Sequence, residues 1–248
     1  MNTSYQPANI ALARSVQERC IASFLSISAF LLIASFPALS DIRPFESHFV
    51  AYYDGKDVGE ARLSLRQLED ERYELSYQSK VSKFFLSDRR YEQSVFSVED
   101  DALVPHSYEY KREGTGPNKN LSVSFDKQNK RILVDNEMRY DWNDELDNQL
   151  FRYDLSQQLK TEKSNFDYYF INYRGERRHY NLQVQEIENV SLPFGEMEAV
   201  KVKINRETNK RVTYAWFAPD LDYSLVRLQQ FKSGKEQGDI KLKTFSTD

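Results

Sequence analysis

Three kinds of residue are scarce in this chain. There is one cysteine, Cys20, and it lies in an N-terminal stretch that reads as a leader, so the folded part carries no disulfide and no thiol chemistry. Only eight glycines are present, and none falls in a phosphate-cradling loop pattern or a dinucleotide fingerprint. Gly114-Thr115-Gly116 has the small residues of an anion nest, but Pro117 follows and no helix begins there, so it reads as a hairpin loop. Three histidines, His48, His106 and His179, lie far apart, without metal-ligand spacing, and no G-x-S-x-G elbow occurs. Positive charge is not in excess either. The formal net charge is −4, which argues against a nucleic-acid partner.

What the chain does have is aromatic residues in alternating runs. Tyr and Phe number 16 each, and apolar residues make up 40% of the sequence, enough for a core built from strands. Ala61, Leu63 and Leu65 alternate with Arg62, Ser64 and Arg66, and Tyr73, Leu75 and Tyr77 repeat the pattern after a charged turn at Glu69-Asp70-Glu71. Asp54-Gly55, Asp100-Asp101, Arg174-Gly175, Pro193-Phe194-Gly195 and Ser233-Gly234 punctuate the runs as turns. Phe96 and Val98 fall on the opposite parity from Tyr91, Gln93 and Val95, which predicts a bulge. Ile187 and Val190 change phase after Val184 in the same way. Short turns between successive strands predict an antiparallel meander. One stretch differs: Leu146, Leu150, Phe151, Leu155 and Leu159 recur at helical spacing, with Asp144 as the expected N-cap of a helix over 145–159.

The first forty residues read as a targeting segment. Arg14 and Arg19 precede a serine-interrupted apolar run, Cys20–Phe36, and small Ala38 and Ser40 stand at the −3 and −1 positions before Asp41. A spanning helix needs about 20 apolar residues, more than this run supplies, so cleavage after Ser40 and release into the periplasm are expected, with no transmembrane segment after processing. Residues 41–248 then form a single β-rich domain.

Candidate sites are few. The carboxylates at Asp54/Asp57, Glu69–Glu71, Glu99–Asp101 and Asp220/Asp222 fall in expected turns, where Asp serves the backbone. Arg177-Arg178-His179 and the group Lys201, Lys203, Arg206, Lys210 and Arg211 read as solvated strand faces. The aromatics around Phe166–Tyr173 and Trp216-Phe217 exceed what a two-layer core requires. Phe166, Tyr168, Phe170 and Trp216 are the candidate walls of an apolar cavity. No catalytic residue, metal ligand or cofactor site is expected.

Several stretches, taken in order, resemble the DUF3108 family of exported bacterial proteins. They are Tyr52-Tyr53-Asp54-Gly55 with Val58-Gly59, Leu103-Val104-Pro105-His106-Ser107-Tyr108, Tyr153-Asp154-Leu155-Ser156, Pro193-Phe194-Gly195 and Trp216-Phe217-Ala218-Pro219-Asp220. The resemblance implies an exported β-rich domain and no established activity. The expected architecture is all-β, a strongly curved antiparallel sheet or incomplete barrel with one packed helix. The leading functional expectation is a non-enzymatic binding or carrier module for a lipid or other apolar ligand. The alternatives are an envelope structural or protein-interaction module and a carboxylate-dependent hydrolase of envelope glycans. The leader reading is checked by sequencing the N-terminus of the exported protein, which should begin at or near Asp41; an intact Met1 on a membrane-bound form contradicts it.

Overall fold

A computed structural model describes residues 42–247 except 84 and 207–209; the leader expected over 1–40 lies outside the described residues. Eight strands come first: β1 Phe45–Tyr53, β2 Lys56–Gln67, β3 Tyr73–Lys83, β4 Leu86–Glu99, β5 Ala102–Gly114, β6 Lys119–Asp126, β7 Arg131–Val134 and β8 Glu137–Asp141. A two-residue strand, β9 Leu146–Asp147, leads into α1 Leu150–Gln158. Six more strands follow: β10 Asn165–Ile171, β11 Arg177–Leu192, β12 Gly195–Asn205, β13 Arg211–Ala218, β14 Ser224–Lys232 and β15 Lys235–Thr247.

All fifteen strands belong to one sheet, ordered β8-β7-β6-β5-β4-β3-β2-β1-β15-β14-β13-β12-β11-β10-β9. The first and last strands pair at its centre, from Phe45 opposite Thr247 to Tyr52 opposite Asp239. From β1 to β8 and from β10 to β15 chain neighbours pair antiparallel through short connections, whereas β9 pairs with β10 in parallel across α1. Asp54-Gly55, Asp100-Asp101, Asp135-Asn136 and Ser233-Gly234 all have positive φ at both residues, the geometry of a two-residue hairpin turn that matches the strand twist. The expected irregularities are present: the register shifts between Val95 and Phe96 and between Val184 and Glu186. The all-β expectation therefore holds, with one helix.

A twisted sheet of this many strands cannot stay flat. It curls, but backbone pairing does not close it: β8 and β9 are its two edges. Side chains join them instead. The Tyr140 hydroxyl donates to the Gly175 carbonyl at 3.1 Å, and the Arg177 guanidinium donates to the Asp141 carbonyl at 2.5 Å. Arg177 also pairs with the buried carboxylate of Glu145 at 2.9 Å. Ile171 of β10 packs in a cluster with Tyr108, Val123, Ile132 and Val134 from the opposite end of the sheet.

The helix departs from expectation. It begins at Leu150, five residues after the expected start, and runs unbroken through Tyr153-Asp154. Asp144 has positive φ and is no N-cap, and Leu146 and Asp147 instead pair in parallel with Phe170 and Ile171. Glu145, in the turn before β9, is committed to Arg177. The apolar spacing at Leu146 comes from a bridge residue rather than a helical turn.

Gly175 makes the side-chain closure possible. Its φ is +72°, and a Cβ there would lie 2.6 Å from Val134 Cγ1. Gly55 has nearly the same φ, +71°, with open space around it. Gly55→Ala should cost about 1 kcal/mol for the backbone conformation alone. Gly175→Ala should cost about 2 kcal/mol more for the overlap, read from urea unfolding midpoints. Equal losses would show that the meeting of the two sheet ends contributes nothing.

Candidate functional site

The chain enters α1 through three polar residues, Asp147-Asn148-Gln149, and these are tied into the sheet. Asp147 is fully buried. Its Oδ1 accepts from the Gln149 and Leu150 amides at 2.8 and 3.0 Å and from the Ser94 hydroxyl of β4 at 2.9 Å. These bonds satisfy the helix N-terminus, where no side chain occupies the usual cap position. The Gln149 amide donates to the Leu75 carbonyl of β3 at 3.3 Å and to Ser94 at 3.1 Å. Asn148 and the buried Tyr108 of β5 both donate to Glu92 at 2.7 Å. Three strands, β3, β4 and β5, are thereby fastened to the first turn of the helix.

This fastening has an electrostatic consequence. Asp147 Oδ2 has no partner. Burial pushes the Asp147 carboxyl up to about 7 against the three hydrogen bonds that favour its charged form, and the nearby charge of Glu92 adds to the rise.

Between α1 and the concave face of the sheet lies a cavity of about 340 Å³. Its apolar wall includes Phe45, Phe49, Leu63, Phe151, Phe217 and Ile240. Its polar wall includes Glu92, Gln149, Arg152, Arg206 and Thr213. Gln149 is 3% exposed, and its Oε1 has no partner. The volume is at the lower end of known ligand pockets, about 300 to 1,000 Å³, and the mix of aromatic lining with a few convergent polar groups is typical of them.

The candidate wall residues sit elsewhere. Phe166, Tyr168 and Phe170 are buried with α1 in the largest core cluster and do not line the cavity. Phe170 stacks on Phe151 at 4.4 Å, and the Tyr168 hydroxyl donates to Asp154 of the helix at 2.7 Å. The reason is α1 itself: its Phe151 covers β10 and faces the cavity in its place. Trp216 belongs to a second cluster with Phe49, Val190, Leu192 and Leu242; its indole donates to Glu188 at 2.7 Å and lies under Arg227. The register shift between Trp216 and Phe217 lets both rings be buried, and Phe217 is the one that reaches the cavity. Tyr169, on the other face of β10, is 56% exposed and stacks on His179.

Other expected sites resolve simply. The acidic turn residues are exposed, with Asp54, Asp100, Asp101 and Asp222 at positive φ. His48, His106 and His179 hydrogen-bond Glu46, Ser97 and Asp167 respectively, on three different strands. Among the described residues no three His, Asp or Glu side chains converge as a metal site. The basic group divides: Lys201 pairs with Glu186 and Glu188, whereas Arg206, read as a solvated strand residue, turns into the cavity.

A curled sheet with side-chain closure and an enclosed helix defines a barrel-like fold. Residues 48–241 match the family described as Protein of unknown function (DUF3108), and the chain belongs to it. A β-barrel-like protein of domain DUF1849 from Brucella abortus is similar in fold, with a TM-score of 0.57 at 9% identity over 83% of this chain and 98% of that one. A protein with a YmcC-like fold from Bacteroides fragilis aligns over 82% of this chain and 94% of its own, at 12% identity and a TM-score of 0.31. No curated protein matches the sequence. Among the described residues no helix is long and apolar enough to cross a membrane.

The Asp147 environment predicts a pH dependence of stability. The unfolded carboxyl titrates near 3.8 and the folded one near 7. Between those values the folded state keeps a proton that the unfolded state has released, so stability falls as pH rises from about 4 to about 7 and then levels off. The full effect is at most about 4 kcal/mol. Asp147→Asn keeps an acceptor for the three donors and removes the titration. Urea unfolding at pH 5 and pH 8 should show a drop of about 2 to 3 kcal/mol, the part of that ceiling that lies above pH 5, in the natural chain but not in the variant. Parallel pH profiles would clear Asp147.

Proposed function

We propose that this protein is an exported, non-enzymatic binding or carrier module whose ligand is apolar or amphiphilic and occupies the cavity between α1 and the sheet. The aromatic-lined cavity of about 340 Å³ carries the reading. A core of this size could have been filled by side chains; a void lined by Phe45, Phe49, Phe151 and Phe217 forgoes the dispersion contacts that close packing would supply. A ligand chain restores those contacts. The leader expected over residues 1–40 supports export to the periplasm.

A second reading, an envelope interaction module, draws on a different feature. Phe85 is 99% exposed and Leu86 60% exposed at the β3–β4 tip. The Gly114–Gly116 loop braces that tip, the Thr115 amide donating to the Ser87 carbonyl at 2.8 Å. The sheet edges support this reading less, since β8 and β9 are five and two residues long and β9 is buried.

Native mass spectrometry of protein purified from the periplasm separates the two. The carrier reading predicts a co-purifying amphiphile, or uptake of one on incubation. A bare polypeptide mass without uptake, together with a crosslink from position 85 to an envelope protein, would favour the interaction module.

A further inference from the structure

Arginine pairing in this chain follows a pattern with two exceptions. Among the described residues seven arginines are half-buried: Arg72, Arg112, Arg152, Arg177, Arg178, Arg206 and Arg227. Five of them are paired with carboxylates, namely Asp70, Asp88, Glu145, Glu176 and Asp239. Among the described residues Arg152 and Arg206 have no carboxylate within ion-pair distance, and both line the cavity. Arg152 donates only to the Asn148 carbonyl, at 2.7 and 3.2 Å, with its guanidinium near the Phe151 ring. Arg206 donates to the Thr213 hydroxyl at 3.2 Å, lies over the Tyr180 ring, and has a buried Nε without a partner.

Withdrawing two guanidinium groups from water without a counter-ion is unfavourable. Their charges also act on one another, since burial first, and then Arg211 and Arg152, pull the Arg206 guanidinium below its ordinary range. Two carboxylates share the wall, Glu92 and Asp222, but among the described residues neither forms an ion pair with Arg152 or Arg206. Glu92 accepts from Tyr108 and Asn148, and Asp222 pairs with Lys160. A third cation of the wall, Arg90, is held by Asp88. What the cavity leaves unfilled on its polar side is an acceptor with negative charge.

We infer that the ligand is an anionic amphiphile whose carboxylate or phosphate head sits between Arg152 and Arg206 and whose tail lies against Phe49, Leu63, Phe151, Phe217 and Ile240. This rests on the carrier reading and adds the class of head group. Guanidinium forks suit carboxylate and phosphate oxygens through paired N–H donors. The volume, about 340 Å³, is that of known ligand pockets.

Isothermal titration of the full folded domain with four probes sharing a dodecyl tail tests it: dodecanoate, dodecyl phosphate, dodecyl maltoside and dodecyltrimethylammonium. At least one anionic probe should bind about tenfold or more tightly than the neutral and cationic ones, as a charge-assisted contact predicts. The tighter of the two anions identifies the head. Arg206→Gln and Arg152→Gln should each lose about tenfold for that anion while leaving the maltoside affinity unchanged, which also shows that the variants fold. Arg206→Lys should recover part of the loss. Equal binding of all four heads, or equal loss of anionic and neutral binding in the variants, overturns the head-group assignment and leaves the cavity reading standing. Binding of none of the four overturns both.

Discussion

The buried carboxylate of Asp147 is the constraint on which the interior depends. One oxygen receives two backbone amides of the helix and a hydroxyl from β4, so a single side chain starts α1 and anchors it to the sheet. A short helix of nine residues would be marginal by itself. Here its first turn is fixed from three strands, through Leu75, Ser94 and, by way of Glu92, Tyr108. The position of the helix then decides which rings face the void. Phe151 and Tyr153 do, and β10 is shut out behind them.

The same node links the two ends of the sheet. Leu146 and Asp147 form the terminal strand beside β10, and two residues earlier Glu145 holds Arg177 from the β10–β11 side. Without backbone closure, the concave face would be open along the gap between β8 and β9. The segment 142–149 fills that gap with one aromatic ring, two buried acids and their partners. Trp142 packs edge-on against Phe125 at 5.6 Å and donates to the Glu145 carbonyl at 3.0 Å. An interior that can stay unfilled follows from this: the shell is supported from outside the cavity, so the cavity wall need not interlock.

The shell was legible in the sequence because its signals are local. Asp-Gly and Ser-Gly turns, period-two alternation and the parity breaks at Phe96 and Ile187 located strands and bulges directly. The helix start was not, because Leu146 continues the apolar spacing while serving as a strand residue. The cavity wall was misplaced for a related reason. Aromatic density marked β10 and Trp216, but which rings face a void depends on where α1 sits and on the bulge after Trp216, both set by long-range contacts. Arg206 shows the limit most clearly. Lys201 and Lys203 were read as one solvated face with it, but Arg206 has the parity of Ile204 and lines the cavity with it, while Lys201 on the other face pairs with acids. The line Asp147-Asn148-Gln149 was the available signal, three polar residues inside an otherwise apolar helical stripe.

The central claim is that the interior is a binding cavity. A crystal structure of the protein soaked with an alkyl chain carrying a terminal bromine and a neutral head tests it without reference to the arginines. The account predicts anomalous bromine density among Phe49, Phe151 and Phe217. Bromine found only at the exposed Phe85-Leu86 tip, with the interior holding ordered water alone, would contradict it.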